Sequence, residues 1–71
     1  MAKIMTTMAG NVWKINVKVG DQVTPGDEVV ILESMKMEIP IAAETEGKVA
    51  EILVEEGSFV NEEEVIVKLE D

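Results

Sequence analysis

The sequence predicts an all-β domain made of two similar halves. Three observations carry that prediction: an internal repeat, a period-two alternation of apolar residues, and turn residues every few positions. Sliding the 71-residue chain along itself by 37 places residues 1–34 over 38–71, and ten of the 34 pairs are identical. They are Ile4/Ile41, Gly10/Gly47, Val12/Val49, Ile15/Ile52, Val17/Val54, Gly20/Gly57, Val23/Val60, Val30/Val67, Leu32/Leu69 and Glu33/Glu70. Nearly all fall on apolar and glycine positions, where backbone and core are decided, so the halves read as two copies of one supersecondary unit.

The elements follow in chain order. Trp13, Ile15, Val17 and Val19 alternate with Lys14, Asn16 and Lys18, so one strand is expected there, with one face on a core and the other in water. Gly20-Asp21 and Thr24-Pro25-Gly26-Asp27 then turn the chain, and Gly57-Ser58 and Asn61-Glu62 do so in the second copy. Glycine supplies φ > 0 in such turns and proline pre-sets their first corner. Gly10, Gly20, Gly26, Gly47 and Gly57 are therefore assigned as structural turns, with positive φ or close backbone approach expected at Gly10 and Gly47. Ile31, Leu32, Met35 and Ile39 also lie near helical spacing, but Pro40 and the β-branched neighbours favour strands. Short strands between frequent turns, in two similar halves, indicate a compact β barrel or sandwich.

Composition narrows the function. A chain of this length closes one modest core, so residues 1–71 are expected to form a single domain. Fifteen acidic against six basic residues give a net charge of -9. That field repels phosphate backbones and anionic lipid, so the expected partners are protein surfaces, with no nucleic acid and no membrane. Histidine, cysteine and tyrosine are all absent, which removes the usual general base at neutral pH, Ser-His and Cys-His nucleophile pairs, and disulfides. The reading is of a non-catalytic protein, not an enzyme. The longest aliphatic run, Val29-Val30-Ile31-Leu32, is far short of the roughly 20 residues a bilayer span needs. The N-terminal stretch lacks the apolar core of a secretory signal, and a cytoplasmic location is expected. Glu62-Glu63-Glu64 beside Asn61 lacks the spaced ligands and glycine turn of a calcium loop and reads as a solvated turn, so no metal site is expected.

Removing both copies leaves Met35-Lys36-Met37, with Lys36 at the midpoint of the chain. If a two-fold operation relates the copies, the connection from residue 34 to residue 38 maps onto the gap between residues 71 and 1. The termini are then expected to lie together, opposite a Lys36 hairpin. A lysine at such a tip resembles a tether more than a catalyst. A lysine amine in water is almost wholly protonated at neutral pH. Acylation therefore needs a second protein to desolvate or deprotonate it, and Lys36 reads as a substrate for modification. An isolated methionine pair reads as gap-filling core, but at an acidic hairpin tip Met35 and Met37 give a docking enzyme something apolar to grip. Glu33 and Glu38 suit recognition and solvation equally. Lys14 and Lys18, which pair in the repeat with Glu51 and Glu55, read as solubilising surface.

The stretch Glu33-Ser34-Met35-Lys36-Met37-Glu38-Ile39-Pro40 resembles the attachment signature of the biotinyl/lipoyl carrier domain family. The resemblance covers essentially the whole chain. Met8 to Ile15 is similar to the family's opening strand and glycine, Val19-Gly20-Asp21-Gln22-Val23 to its first turn, and Glu56-Gly57-Ser58-Phe59-Val60 to its second. A lysine between two methionines is the biotin-carrier form, whereas lipoyl carriers typically have Asp or Ser-Asp before the lysine and Ala after it. Ser34 stands where biotin carriers usually have alanine, and Ala9 where the family commonly has proline.

The resemblance implies a flattened barrel-sandwich hybrid of two four-stranded antiparallel sheets with pseudo-two-fold symmetry, Lys36 on a β-hairpin opposite the termini. It further implies that a biotin protein ligase, reading Met35, Met37, Glu33 and Glu38, joins biotin to Lys36. The arm then shuttles a carboxyl group between biotin carboxylase and carboxyltransferase sites. Lipoate on Lys36, placed by a lipoyl ligase, is the alternative, alone or together with biotin, and an unmodified adaptor is the third reading. With no insertion between the copies and no alanine/proline-rich linker, the chain is expected to be a free-standing carrier of the bacterial kind, monomeric when free.

Overall fold

Every identical apolar pair of the repeat is buried or half-buried in both copies. The computed structural model describes residues 2–70 and shows eight strands, with no helix among the described residues: β1 Ala2–Met5, β2 Gly10–Ile15, β3 Gln22–Val23, β4 Glu28–Ser34, β5 Met37–Ala42, β6 Gly47–Ile52, β7 Phe59–Val60 and β8 Val65–Glu70. They form two four-stranded sheets, β1-β8-β6-β3 and β5-β4-β2-β7, and all pairs are antiparallel. The expected fold class is the observed one.

A shift of 37 residues carries β1 onto β5, β2 onto β6, β3 onto β7 and β4 onto β8, so each sheet takes two strands from each copy. The register obeys the same operation. Ala2↔Leu69 becomes Leu32↔Ile39, Val12↔Leu32 becomes Val49↔Leu69, and Gly10↔Val60 becomes Val23↔Gly47. Even the bulges recur, between Val12 and Lys14 and again between Val49 and Glu51.

The core lies between the sheets and is symmetric residue by residue. Ile4, Val12, Val23, Val29, Val30 and Leu32 are buried, and so are their equivalents Ile41, Val49, Val60, Ile66, Val67 and Leu69. The remaining buried pair is unequal: Ala43 in one copy, Thr6 in the other. The Thr6 hydroxyl donates to the Asn61 carbonyl and accepts from the Glu64 N–H at 3.1 Å, so the polar group is satisfied where it is buried.

Two sequence expectations need correction. The strand expected over Trp13–Val19 ends at Ile15, and Trp13 is the extra residue of the bulge between Val12 and Lys14. A bulge sets two residues against one and breaks the alternation. Trp13 is 51% exposed and Val19 64%, while Ile15 and Val17 pack on the core as expected. Gly10 and Gly47 are likewise not turn residues but the first residues of β2 and β6. Their requirement is close approach: a Cβ on Gly10 would stand 3.0 Å from the Glu33 carbonyl oxygen, and one on Gly47 3.1 Å from that of Glu70. Gly20, Gly26 and Gly57 are the turn glycines, with φ of 98°, 94° and 93°.

Candidate functional site

Strands β4 and β5 pair without interruption from Val30↔Ile41 to Ser34↔Met37, which leaves only Met35 and Lys36 in the loop. Both hold positive φ, 51° and 64°. Two residues of positive φ give the turn whose twist matches the flanking strands, and Asn-Gly is the preferred sequence for it. Residues with a Cβ in this conformation cost about 1–2 kcal/mol each. Met35 and Lys36 thus occupy a loop that local preference would fill otherwise.

The flanking residues point the same way. Met35 is 91% and Met37 61% exposed, so neither fills the core, and Lys36 between them is exposed. Glu33 and Glu38 stand directly opposite each other, both exposed. Opposed like charges destabilise a strand pair. Local stability therefore does not explain the composition of the tip, where an amine stands between thioethers and carboxylates. The base of the hairpin is firm, with Ser34 half-buried and its Cβ 3.4 Å from the position of a Gly10 Cβ. Ala2 and Leu69 are paired in the other sheet, so the chain ends run side by side, and the two-fold operation carries that edge onto the hairpin.

The arrangement offers an accessible primary amine on a two-residue turn, with the thioethers of Met35 and Met37 and the carboxylates of Glu33 and Glu38 beside it. Of the residues singled out from the sequence, Glu33, Met35, Lys36, Met37 and Glu38 come together here, with Gly10 beneath them. Gly20, Gly26, Gly47 and Gly57 serve the scaffold elsewhere. A cavity of about 270 Å³ lined by Met5, Thr7, Ala42 and Glu44, among others, lies at the far end of β5 from the hairpin. The repeat maps Met5 onto Ala42 and Thr7 onto Glu44, so this cavity is the seam where the two copies meet.

Sequence reasoning missed two neighbours of the site. Phe59 pairs with Asn11, Asn11 with Glu33 and Glu33 with Glu38, so the four residues form one row across the outer face of the hairpin sheet. Trp13 lies beside that row on β2. The available signal was a mismatch in the repeat, where Trp13 aligns with Ala50 and Phe59 with Gln22.

Comparison with known proteins agrees with this geometry. A family model described as "Biotin-requiring enzyme" matches residues 1–69. The chain is 60% identical over 62 residues to the biotin/lipoyl attachment protein of Bacillus subtilis (strain 168), covering 87% of this chain and 85% of that protein. It is 40% identical over 76 residues to the biotin carboxyl carrier protein of acetyl-CoA carboxylase of Pyropia yezoensis, covering 97% of this chain and 48% of that protein. Among solved structures, the lipoyl domain of the 2-oxoglutarate dehydrogenase complex from Azotobacter vinelandii matches with a TM-score of 0.78 at 28% identity, covering 99% of this chain and 98% of that one.

Proposed function

The chain belongs to the biotin/lipoyl attachment family, whose domains carry a group and do not catalyse, and from that premise we propose that Lys36 is the attachment residue and that it carries biotin. The observation that bears the reading is the exposed Met35-Lys36-Met37 tip, in which Met35 and Lys36 hold a left-handed backbone unfavourable to residues with a Cβ. An exposed amine with open space around it suits an amide tether that must swing, and no wall at the tip would pin the group.

The chain's contribution is to present and to carry. In acylation the free amine of Lys36 attacks the carbonyl carbon of an activated biotin carboxyl group held by the ligase. The amide C–N bond forms, the bond to the activating group breaks, that group leaves with the electron pair, and the amine's proton passes to a base on the ligase. Met35 and Met37 supply apolar contact to the ligase, and Glu33 and Glu38 a charged frame. Biotin, once attached, supplies a ureido ring able to accept and give up a carboxyl group. Tethering to the docked chain raises the group's effective concentration at each partner site, a biotin carboxylase and a carboxyltransferase. The reading also places the chain in the cytoplasm and keeps it monomeric between dockings, its net charge of -9 holding copies apart.

Lipoate on Lys36 is the second reading, supported by the likeness to a lipoyl domain over nearly the whole of both chains. Intact mass spectrometry with peptide mapping separates the two, on chain purified from its own host and on chain co-expressed with a biotin ligase or a lipoyl ligase. A biotinyl group on Lys36 from the native host is the expected result, and a lipoyl group would move the protein to the second reading. Lys36→Arg should abolish the added mass and leave the melting temperature nearly unchanged, because an exposed charge contributes little to folding. An unmodified chain under all three conditions would leave only the adaptor reading.

A further inference from the structure

The molecule contains one tryptophan, one phenylalanine and no tyrosine, and neither ring is in the core. Trp13 is 51% exposed and Phe59 62%, and both stand on the sheet that carries the Lys36 hairpin, on β2 and β7. Directly paired residues share a face, so the row Phe59-Asn11-Glu33-Glu38 runs unbroken over the outer surface of that sheet. Phe59 is three strand spacings from Glu38, about 14 Å. Trp13 and Lys14 share the place opposite Ile31, in the next row.

The pseudo-two-fold axis supplies an internal control. On the other sheet the same bulge holds Ala50 where this one holds Trp13, and the same pairing sets Gln22 against Lys48 where this one sets Phe59 against Asn11. Alanine and glutamine thus satisfy identical backbone positions in the same molecule. The fold does not ask for the rings, and exposed aromatics on the outer face of a sheet invite self-association. The sheet that carries the rings is the one that carries the Lys36 hairpin.

We propose that the outer face of the β5-β4-β2-β7 sheet, anchored by Trp13 and Phe59, is the surface on which the enzyme that acylates Lys36 docks. This rests on the assignment of Lys36 as the attachment residue. A lysine side chain is short, so that enzyme has to close over the hairpin itself. An interface of standard size covers roughly 800 Å² on each partner, a disc of radius about 16 Å, which reaches from the tip across the row to Phe59. Enzymes that act later meet a group at the end of a longer arm and need not cover this face. Buried aromatic anchors carry a disproportionate share of such interfaces. Because Glu33 and Glu38 lie in the row and the chain carries -9 overall, the complementary surface is an apolar recess rimmed by Lys or Arg side chains.

The test replaces each ring by the residue at its symmetric position: Trp13→Ala, Phe59→Gln and the pair together. Initial rates of biotin transfer are measured with a purified biotin protein ligase over a range of chain concentrations, alongside thermal melts. The double variant is expected to raise KM for the chain about tenfold or more, with kcat within about twofold and the melting temperature close to that of the wild type. Gln22→Phe on the opposite sheet should leave KM unchanged.

An unchanged KM in the double variant overturns the proposal. So does a defect confined to the carboxylase steps, which would assign the face to a later partner. A collapse of the melting temperature in both single variants overturns it by assigning the rings to the fold, and if only one variant is destabilised the other decides. A wild-type chain that the ligase does not acylate at Lys36 removes the attachment reading itself, an outcome visible before any variant is compared.

Discussion

Glu63 occupies in the second copy the place Gly26 occupies in the first, and it takes the same left-handed backbone, φ 62° against 94°. The turns are otherwise alike: Thr24 N–H donates to the Asp27 carboxylate at 2.9 Å, and Asn61 N–H to that of Glu64 at 3.2 Å. A residue with a Cβ there costs about 1–2 kcal/mol, and glycine's own entropic cost offsets about half of that. Glu63→Gly should therefore stabilise the protein by about 0.5–1 kcal/mol, seen as a melting temperature higher by a few degrees. A lower value would mean that the Glu63 side chain makes a compensating contact. The same backbone recurs at Met35, where the two effects should part company. Met35→Gly relieves the turn and should raise the melting temperature, yet it removes an apolar contact from the tip and should slow acylation of Lys36. A variant that gains on both counts would show that Met35 plays no part in recognition.

At the scale of the elements, β2 and β6 start on glycines pressed against a neighbouring strand. A Cβ on Gly10 would meet the Glu33 carbonyl oxygen at 3.0 Å, and one on Gly47 would meet that of Glu70 at 3.1 Å. These are backbone atoms, which yield only if the strand moves. Gly10→Val and Gly47→Val should each destabilise the fold by about 1–3 kcal/mol in denaturant melts. Glu33 lies at the base of the hairpin and Glu70 does not, so among variants still folded at low temperature only Gly10→Val should also slow acylation. Slowing of equal size in both would tie acylation to general stability.

The two-copy symmetry of the core was legible in the sequence because the identical pairs, Leu32/Leu69 among them, are core residues held by the same contacts twice. The Lys36 tip was legible because the repeat leaves three residues over. The course of β2 was not, since apolar alternation through Val19 looks the same whether or not a bulge at Trp13 changes its phase. Nor was the neighbourhood of Phe59, which becomes part of the site only when β7 pairs with β2 across 48 residues, counting from Asn11 to Phe59. Such a placement is set by long-range register and leaves no local pattern.

For the whole molecule, the two-fold operation makes the chain ends and the Lys36 hairpin equivalent positions, differing by the three residues Met35-Lys36-Met37. Ala2 meets Leu69 in the register in which Ile39 meets Leu32. Joining Asp71 to Met1 through an inserted Met-Lys-Met, and opening the chain between the exposed Glu44 and Thr45, should therefore close a second hairpin of the same kind on the other sheet. That hairpin would present a lysine on the same backbone and between the same methionines, but over a face with Ala50 and Gln22 in place of Trp13 and Phe59. The rearranged chain holds both lysines in one folded molecule, so stability, concentration and ligase are common to them. Peptide-resolved mass spectrometry over the course of acylation would follow each separately. If the aromatic face anchors the ligase, Lys36 should react at least about tenfold faster than the inserted lysine. Equal rates would mean that the hairpin alone is recognised, and would leave the two exposed rings without a role in attachment.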